Sequence, residues 1–211
     1  MSETGHFSLE HIRPADIEKR SFEIIRQELG RELDPETEPV ILRVIHTTAD
    51  FSFADTMFFS AGVMDRLRDA IRSGADIVTD TQMAKAGINK RKLASFGGEV
   101  HCFMSDEDVA KEASLRGVTR AMVSMEKAAA LKKRMIFVIG NAPTALIRIR
   151  ELWESGQLDP VAVIGAPVGF VNVEYSKEII LDSGMPCIIP RGRRGGSNVA
   201  AAIVNAVLYQ L

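Results

Sequence analysis

Met135-Ile-Phe-Val-Ile-Gly-Asn-Ala-Pro-Thr144 decides the fold class. Its first five residues are all apolar, with no polar alternation, so a strand here is buried on both faces, as strands of a covered parallel sheet are. Gly140 ends the run, and Pro143 suits the first position of a helix. The unit is strand, small-residue loop, helix. It recurs downstream, where Val161-Ala-Val-Ile164 runs into Gly165-Ala-Pro-Val-Gly169 and Cys187-Ile-Ile189 into Arg191-Gly-Arg-Arg-Gly-Gly-Ser197. Upstream, Thr56-Met-Phe-Phe59, Asp76-Ile-Val-Thr79 and Glu99-Val-His-Cys-Phe103 read as further strands. Periodicity predicts helices over about 61–73, 106–133, 143–155, 173–183 and 196–210. The expected class is α/β, a three-layer αβα arrangement with a mostly parallel sheet and helices on both faces. It forms one domain over 1–211, with 1–10 as a flexible extension.

Further upstream, the segment from Pro14 to Leu29 reads as a helix. Pro14 suits its start, Ile17, Phe22, Ile25 and Leu29 give an apolar stripe, and Gly30 suits the position just past its end. Pro39-Val-Ile-Leu-Arg-Val-Ile-His-Thr-Thr48 admits two readings. It is rich in β-branched residues, as a buried strand is. It also has Pro39 near its start and acids ahead of it, as a helix does. In a helix Arg43 and His46 share a face; in a strand they point to opposite faces.

Of 211 residues, 46% are hydrophobic and 26% charged, and the net charge is −2. No overall field draws the chain to nucleic acid or an anionic membrane, so an anionic ligand needs a local cluster. Two cysteines, Cys102 and Cys187, make neither a disulfide scaffold nor a CxxC metal site and fit a reducing cytoplasm. No apolar run is long enough for a membrane span, and the first residues do not resemble a secretory signal. His6, His11, His46 and His101 lack paired spacing, so no metal site is expected.

Four features can carry chemistry. His46 suits proton transfer near neutrality, or a buried histidine bonded to a carbonyl. Arg191-Gly-Arg-Arg-Gly-Gly-Ser197 joins guanidinium forks, flexible backbone and a helix start, which together suit carboxylates or phosphates; a solvated basic turn is the bland reading. The Gly140-Asn-Ala-Pro loop can offer backbone N–H groups to a ligand or simply turn the chain. Asp80 and Thr81 can cap a helix or reach the crevice at the strand ends. Arg91, Lys92, Arg116 and Arg120 are scattered bases. The glycine loops at the strand ends leave a nucleotide or S-adenosylmethionine enzyme as a rival reading, against which the missing GxGxxG counts, and a non-catalytic carrier as another; no GxSxG elbow or P-loop is present.

Glu18-Lys-Arg-Ser-Phe-Glu-Ile-Ile25, Arg43-Val-Ile-His-Thr-Thr-Ala-Asp50, Ile77-Val-Thr-Asp-Thr-Gln-Met83, Gly140-Asn-Ala-Pro-Thr-Ala145 and Arg191-Gly-Arg-Arg-Gly-Gly-Ser197 occur in that order. Together they resemble the precorrin-8X methylmutase family, over nearly the whole chain from about residue 12. The resemblance implies a three-layer α/β homodimer whose sites are shared between subunits. It implies a [1,5]-shift of a methyl from carbon 11 to carbon 12 of a polycarboxylate tetrapyrrole, giving hydrogenobyrinate or its cobalt form, without a cofactor or protein-held metal. The family's catalytic histidine matches His46, and its substrate-contacting serine and arginine match Ser21 and Arg43, on a segment that is helical in the family. Asp80, Arg120, Arg191, Arg193, Gly196 and Ser197 complete the expected substrate-binding set. Arg194 occupies a variable position of the arginine loop, and Thr47 and Asp50 are given no role.

Overall fold

A computed structural model describes residues 11–211. The expected flexible extension at 1–10 lies outside the described residues. A 3-10 turn, Pro14–Asp16, leads into α1 (Ile17–Leu29), and α2 spans Glu38–Thr48. There follow α3 (Phe53–Thr56), β1 (Met57–Phe59), α4 (Val63–Arg72), β2 (Asp76–Thr79), α5 (Gln82–Gly87), α6 (Lys90–Ala94) and β3 (Val100–His101). The second half holds α7 (Glu107–Arg116), α8 (Arg120–Ala130), β4 (Met135–Ile139), α9 (Pro143–Glu154), β5 (Ala162–Gly165), α10 (Val173–Leu181), β6 (Cys187–Pro190) and α11 (Ser197–Leu208).

The six strands lie in the order β1-β6-β5-β4-β2-β3. All neighbours are parallel except β1, which pairs antiparallel with β6 at one edge (Phe58 opposite Ile189). Side chains alternate along each strand. On β4, Ile136 and Val138 face a core built with α2, α4 and α11, while Met135, Phe137 and Ile139 face a second core built with α8, α9 and α10. This is the covered parallel sheet that the apolar runs predict. From β2 the chain steps outward to β3, then returns to β4 on the other side of β2. The carboxyl ends of β2 and β4 thus flank a topological switch point, where open α/β sheets place their ligand crevice.

The segment from Pro39 to Thr48 is helical. Val40, Ile41, Leu42, Val44 and Ile45 are buried, packed with the alanine-rich α11. Small residues such as Ala200 and Ala201 on α11 admit close approach, and that tertiary contact overrides the β-branched propensity. The helix predicted over 106–133 is two helices. Gly117 turns left-handed (φ 64°) and closes α7, and the Thr119 side chain accepts from the Met122 N–H to start α8. α3 and α6 are too short to show periodicity in the sequence.

Candidate active site

Three loops converge at the switch point. Asp80, just past β2, is 1 % exposed. Its carboxylate accepts the backbone N–H groups of Gly140 (2.7 Å), Asn141 (2.8 Å) and Ala142 (2.6 Å), at the entry to α9. Thr81 caps α5 by accepting from the Ala84 N–H at 3.0 Å, and its hydroxyl lies 2.7 Å from that of Ser197 at the start of α11. Gly140 fits against this helix start, because a Cβ there meets the Ser197 Cα at 2.6 Å. Two expectations change here. Asp80 is a clamp between loops rather than a substrate contact, since both of its oxygens are taken by the chain. The N–H groups of the Gly140 loop serve that clamp and are not on offer to a ligand. Burial pushes the Asp80 carboxyl above its ordinary value, against the three N–H donors that pull it down.

His46 and Arg43 sit three residues apart on one face of α2, as the helical reading requires. His46 is exposed and meets the Phe22 ring of α1 edge to face, with centroids 5.7 Å apart. The buried-histidine reading therefore fails. Arg43 is half-buried. Its guanidinium donates to both Glu18 oxygens (2.7 and 3.1 Å) and stacks over the Tyr209 ring at 4.6 Å. The Arg43 hydrogen bonds lower the Glu18 pKa more than its partial burial raises it. Ser21, one residue from Phe22, donates its hydroxyl to the Ile17 carbonyl at 3.0 Å. Arg43 and His46 therefore both meet α1, at Glu18 and Phe22, and Ser21 lies next to Phe22 on that helix.

The arginine loop follows β6. Arg191 is exposed and lies over the Phe58 ring at 5.4 Å, with no ion pair among the described residues. Arg193 pairs with Glu174 of α10 at 2.9 Å. Arg194 reaches back to the turn after α2, pairing with Asp50 at 3.0 Å and donating to the Ser52 hydroxyl at 2.5 Å. This variable-position arginine thereby ties the loop to the chain just past His46. Gly196 and Ser197 are buried and build the loop rather than lining open space. Arg120 is exposed at the first turn of α8, and the hydroxyls of Thr119 and Thr144 join that turn to the start of α9 (2.8 Å). Arg120 thus flanks the switch-point loops.

Sequence reading missed Lys177. This α10 residue is 0 % exposed, and its ammonium donates to the Gly192 and Arg194 carbonyls, each at 2.7 Å. Burial pushes its pKa down to about 8. The sequence signal was a lysine on the face where Val173 and Ile180 are also buried. Glu18, quoted only as part of a motif, was missed as the partner of Arg43.

Residues 16–210 match the family model described as precorrin-8X methylmutase. The chain is 47% identical over 207 residues to the cobalt-precorrin-8 methylmutase of Salmonella typhimurium, covering 94% of this chain and 96% of that one. It is 37% identical over 203 residues to the precorrin-8X methylmutase of Pseudomonas aeruginosa, covering 94% and 97%. The crystal structure of a precorrin-8X methylmutase from Thermus thermophilus superposes with a TM-score of 0.84 at 34% identity, covering 92% of this chain and 96% of that one.

Proposed function

The chain belongs to the precorrin-8X methylmutase family, and from that premise we propose how its residues carry out the family's isomerisation. The enzyme is an intramolecular methyl-transferring isomerase of cobalamin biosynthesis. The methyl on carbon 11 of precorrin-8, or of its cobalt-loaded form, moves to carbon 12. The shift redistributes the ring's own conjugated electrons and needs no net oxidant or reductant. The protein's work is to hold the macrocycle in a reactive shape and to manage one proton.

The observation that carries this reading is the α2 face. An exposed histidine shares it with a positioned arginine, and Arg194 bridges the arginine loop to Asp50, four residues beyond that histidine. His46 gives a proton or hydrogen bond to a ring nitrogen or carbon as the methyl migrates. Arg43, Arg191 and Arg193 receive the ring's acetate and propionate carboxylates, each charge-assisted bond contributing on the order of 1.5–3 kcal/mol. Arg120 extends this basic rim on the switch-point side.

A single chain leaves His46 and the arginine loop open to solvent. Beside Arg193, Phe170 is 81 % and Val171 79 % exposed. A second copy covering these residues would close the site, so we assign a cytoplasmic homodimer with shared sites. Among the described residues no helix is long and apolar enough to cross a membrane. The test is incubation of the purified protein with metal-free and cobalt-loaded precorrin-8, followed by absorbance, since the shift changes the ring's conjugation. A spectral change to the product supports the reading. Tight binding without a spectral change, for both forms, would make the protein a carrier.

A further inference from the structure

Lys177 is a fully buried cation whose hydrogen bonds go to carbonyls rather than to an acid. Glu174, one turn away on α10, is engaged with Arg193 at 2.9 Å. Placing an ammonium there carries a desolvation penalty before its hydrogen bonds are counted. What it holds explains its presence. The Gly192 and Arg194 carbonyls accept from its ammonium at 2.7 Å each, and the Arg193 carbonyl between them accepts the Gly169 N–H at 3.2 Å. Three successive carbonyls are therefore taken up, two by Lys177 and one by the loop after β5. None of these peptides is cis. In a planar trans peptide the C=O and the following N–H point in opposite directions, so the N–H groups of Arg193, Arg194 and Gly195 turn away from their respective carbonyl partners. Gly192 (φ 73°) and Gly196 (φ 128°) supply the backbone angles at the two ends of this turn.

We infer that Lys177 is a positioning residue for the substrate: by pinning the Gly192 and Arg194 carbonyls from below, it shapes the arginine loop into a concavity whose backbone N–H groups take one carboxylate of the corrinoid. The inference rests on the reading of this loop as a substrate-carboxylate site. Successive N–H groups in such a turn bind anions, and a buried positive charge beneath them adds attraction that water does not screen. The loop thus offers backbone donors as well as the side chains of Arg191 and Arg193.

The experiment compares wild type, Lys177→Met and the double variant Arg191→Ala/Arg193→Ala. Product affinity is measured by absorbance titration with cobyrinate, and KM and kcat with cobalt-precorrin-8. Lys177→Met should raise Kd and KM by about tenfold or more while kcat at saturation stays within about threefold, because a binding contact common to ground and transition states is lost. An unchanged Kd and KM in Lys177→Met, beside weakened binding in the double variant, overturns the role of Lys177 alone. Full binding in the double variant overturns the reading of the Arg191 and Arg193 side chains as carboxylate partners, and the inference about the backbone donors is then decided by Lys177→Met, whose unchanged Kd and KM overturn it. If Lys177→Met does not melt cooperatively, the wild type decides by amide exchange. Cobyrinate must slow exchange at Arg193, Arg194 and Gly195; unchanged exchange there contradicts the inference.

Discussion

Arg191 and Arg193 belong to one loop but differ in what they would bring to a ligand. Arg193 is held by Glu174, so a substrate carboxylate must share or displace that acid, whereas Arg191 lies over the Phe58 ring and has no ion pair among the described residues. Arg191→Ala should therefore weaken cobyrinate binding by about tenfold or more, and Arg193→Ala by clearly less, as titration of each variant will show. Ala49, which ends α2 just past His46, is a non-glycine residue in the left-handed region (φ 54°). Ala49→Gly should raise stability by a few tenths to about 1 kcal/mol, seen as a higher melting temperature, because the Cβ strain outweighs the added chain entropy. Buried Asp76 is a third case. Desolvation raises its pKa, but hydrogen bonds from Lys133 (2.7 Å), His101 (3.0 Å) and the Glu99 N–H (2.9 Å) outweigh it, and the net shift is downward. A depressed folded pKa contributes stability that is present above about pH 4 and is lost as pH falls through the folded value. Unfolding measured from pH 6 down to 3 should show that loss, and Asp76→Asn should flatten it. At this scale the sequence singles out His46, Arg43 and Arg191 as candidates by residue type and motif. Their partners were not, since Glu18, Glu174 and Asp50 are brought to them by tertiary packing, and Asp80 looks the same in one dimension whether it caps a helix or clamps a loop.

The switch-point assembly of β2, β4 and α11 depends on one glycine. A Cβ on Gly140 meets the Ser197 Cα at 2.6 Å and the Ser197 nitrogen at 2.9 Å, both backbone atoms that cannot rotate aside. Gly140→Ala should lower stability by about 1–3 kcal/mol through this overpacking and displace the N-terminus of α11. A lower melting temperature together with reduced turnover checks it; unchanged values of both would show that α11 yields freely. Elements bounded by strong local punctuation were the readable ones, such as α1 between Pro14 and Gly30, and β4 running into Gly140. α2 was ambiguous because its β-branched run satisfies either a strand or a helix, and only the close approach of α11 selects the helix. The break between α7 and α8 was written locally, in Gly117 and Thr119, but amphipathic periodicity on both sides masked it.

Across the whole molecule, the apolar strands separate two helical layers, and every strand-end loop of the second half contributes to one end of the sheet. The layered architecture followed from patterning, whereas the antiparallel edge strand β1 did not, because a three-residue strand carries no direction in its sequence. Sedimentation should give a dimer, and replacing Phe170 and Val171 by Asp should shift it toward monomer with loss of turnover. A fully active monomer would contradict the shared site. The most direct measurement is a comparison of wild type with His46→Ala on cobalt-precorrin-8 and its metal-free form, following the absorbance change of the methyl shift beside cobyrinate affinity. If His46 manages the proton, the variant binds product as tightly as wild type and produces no spectral change; turnover near the wild-type rate would contradict it.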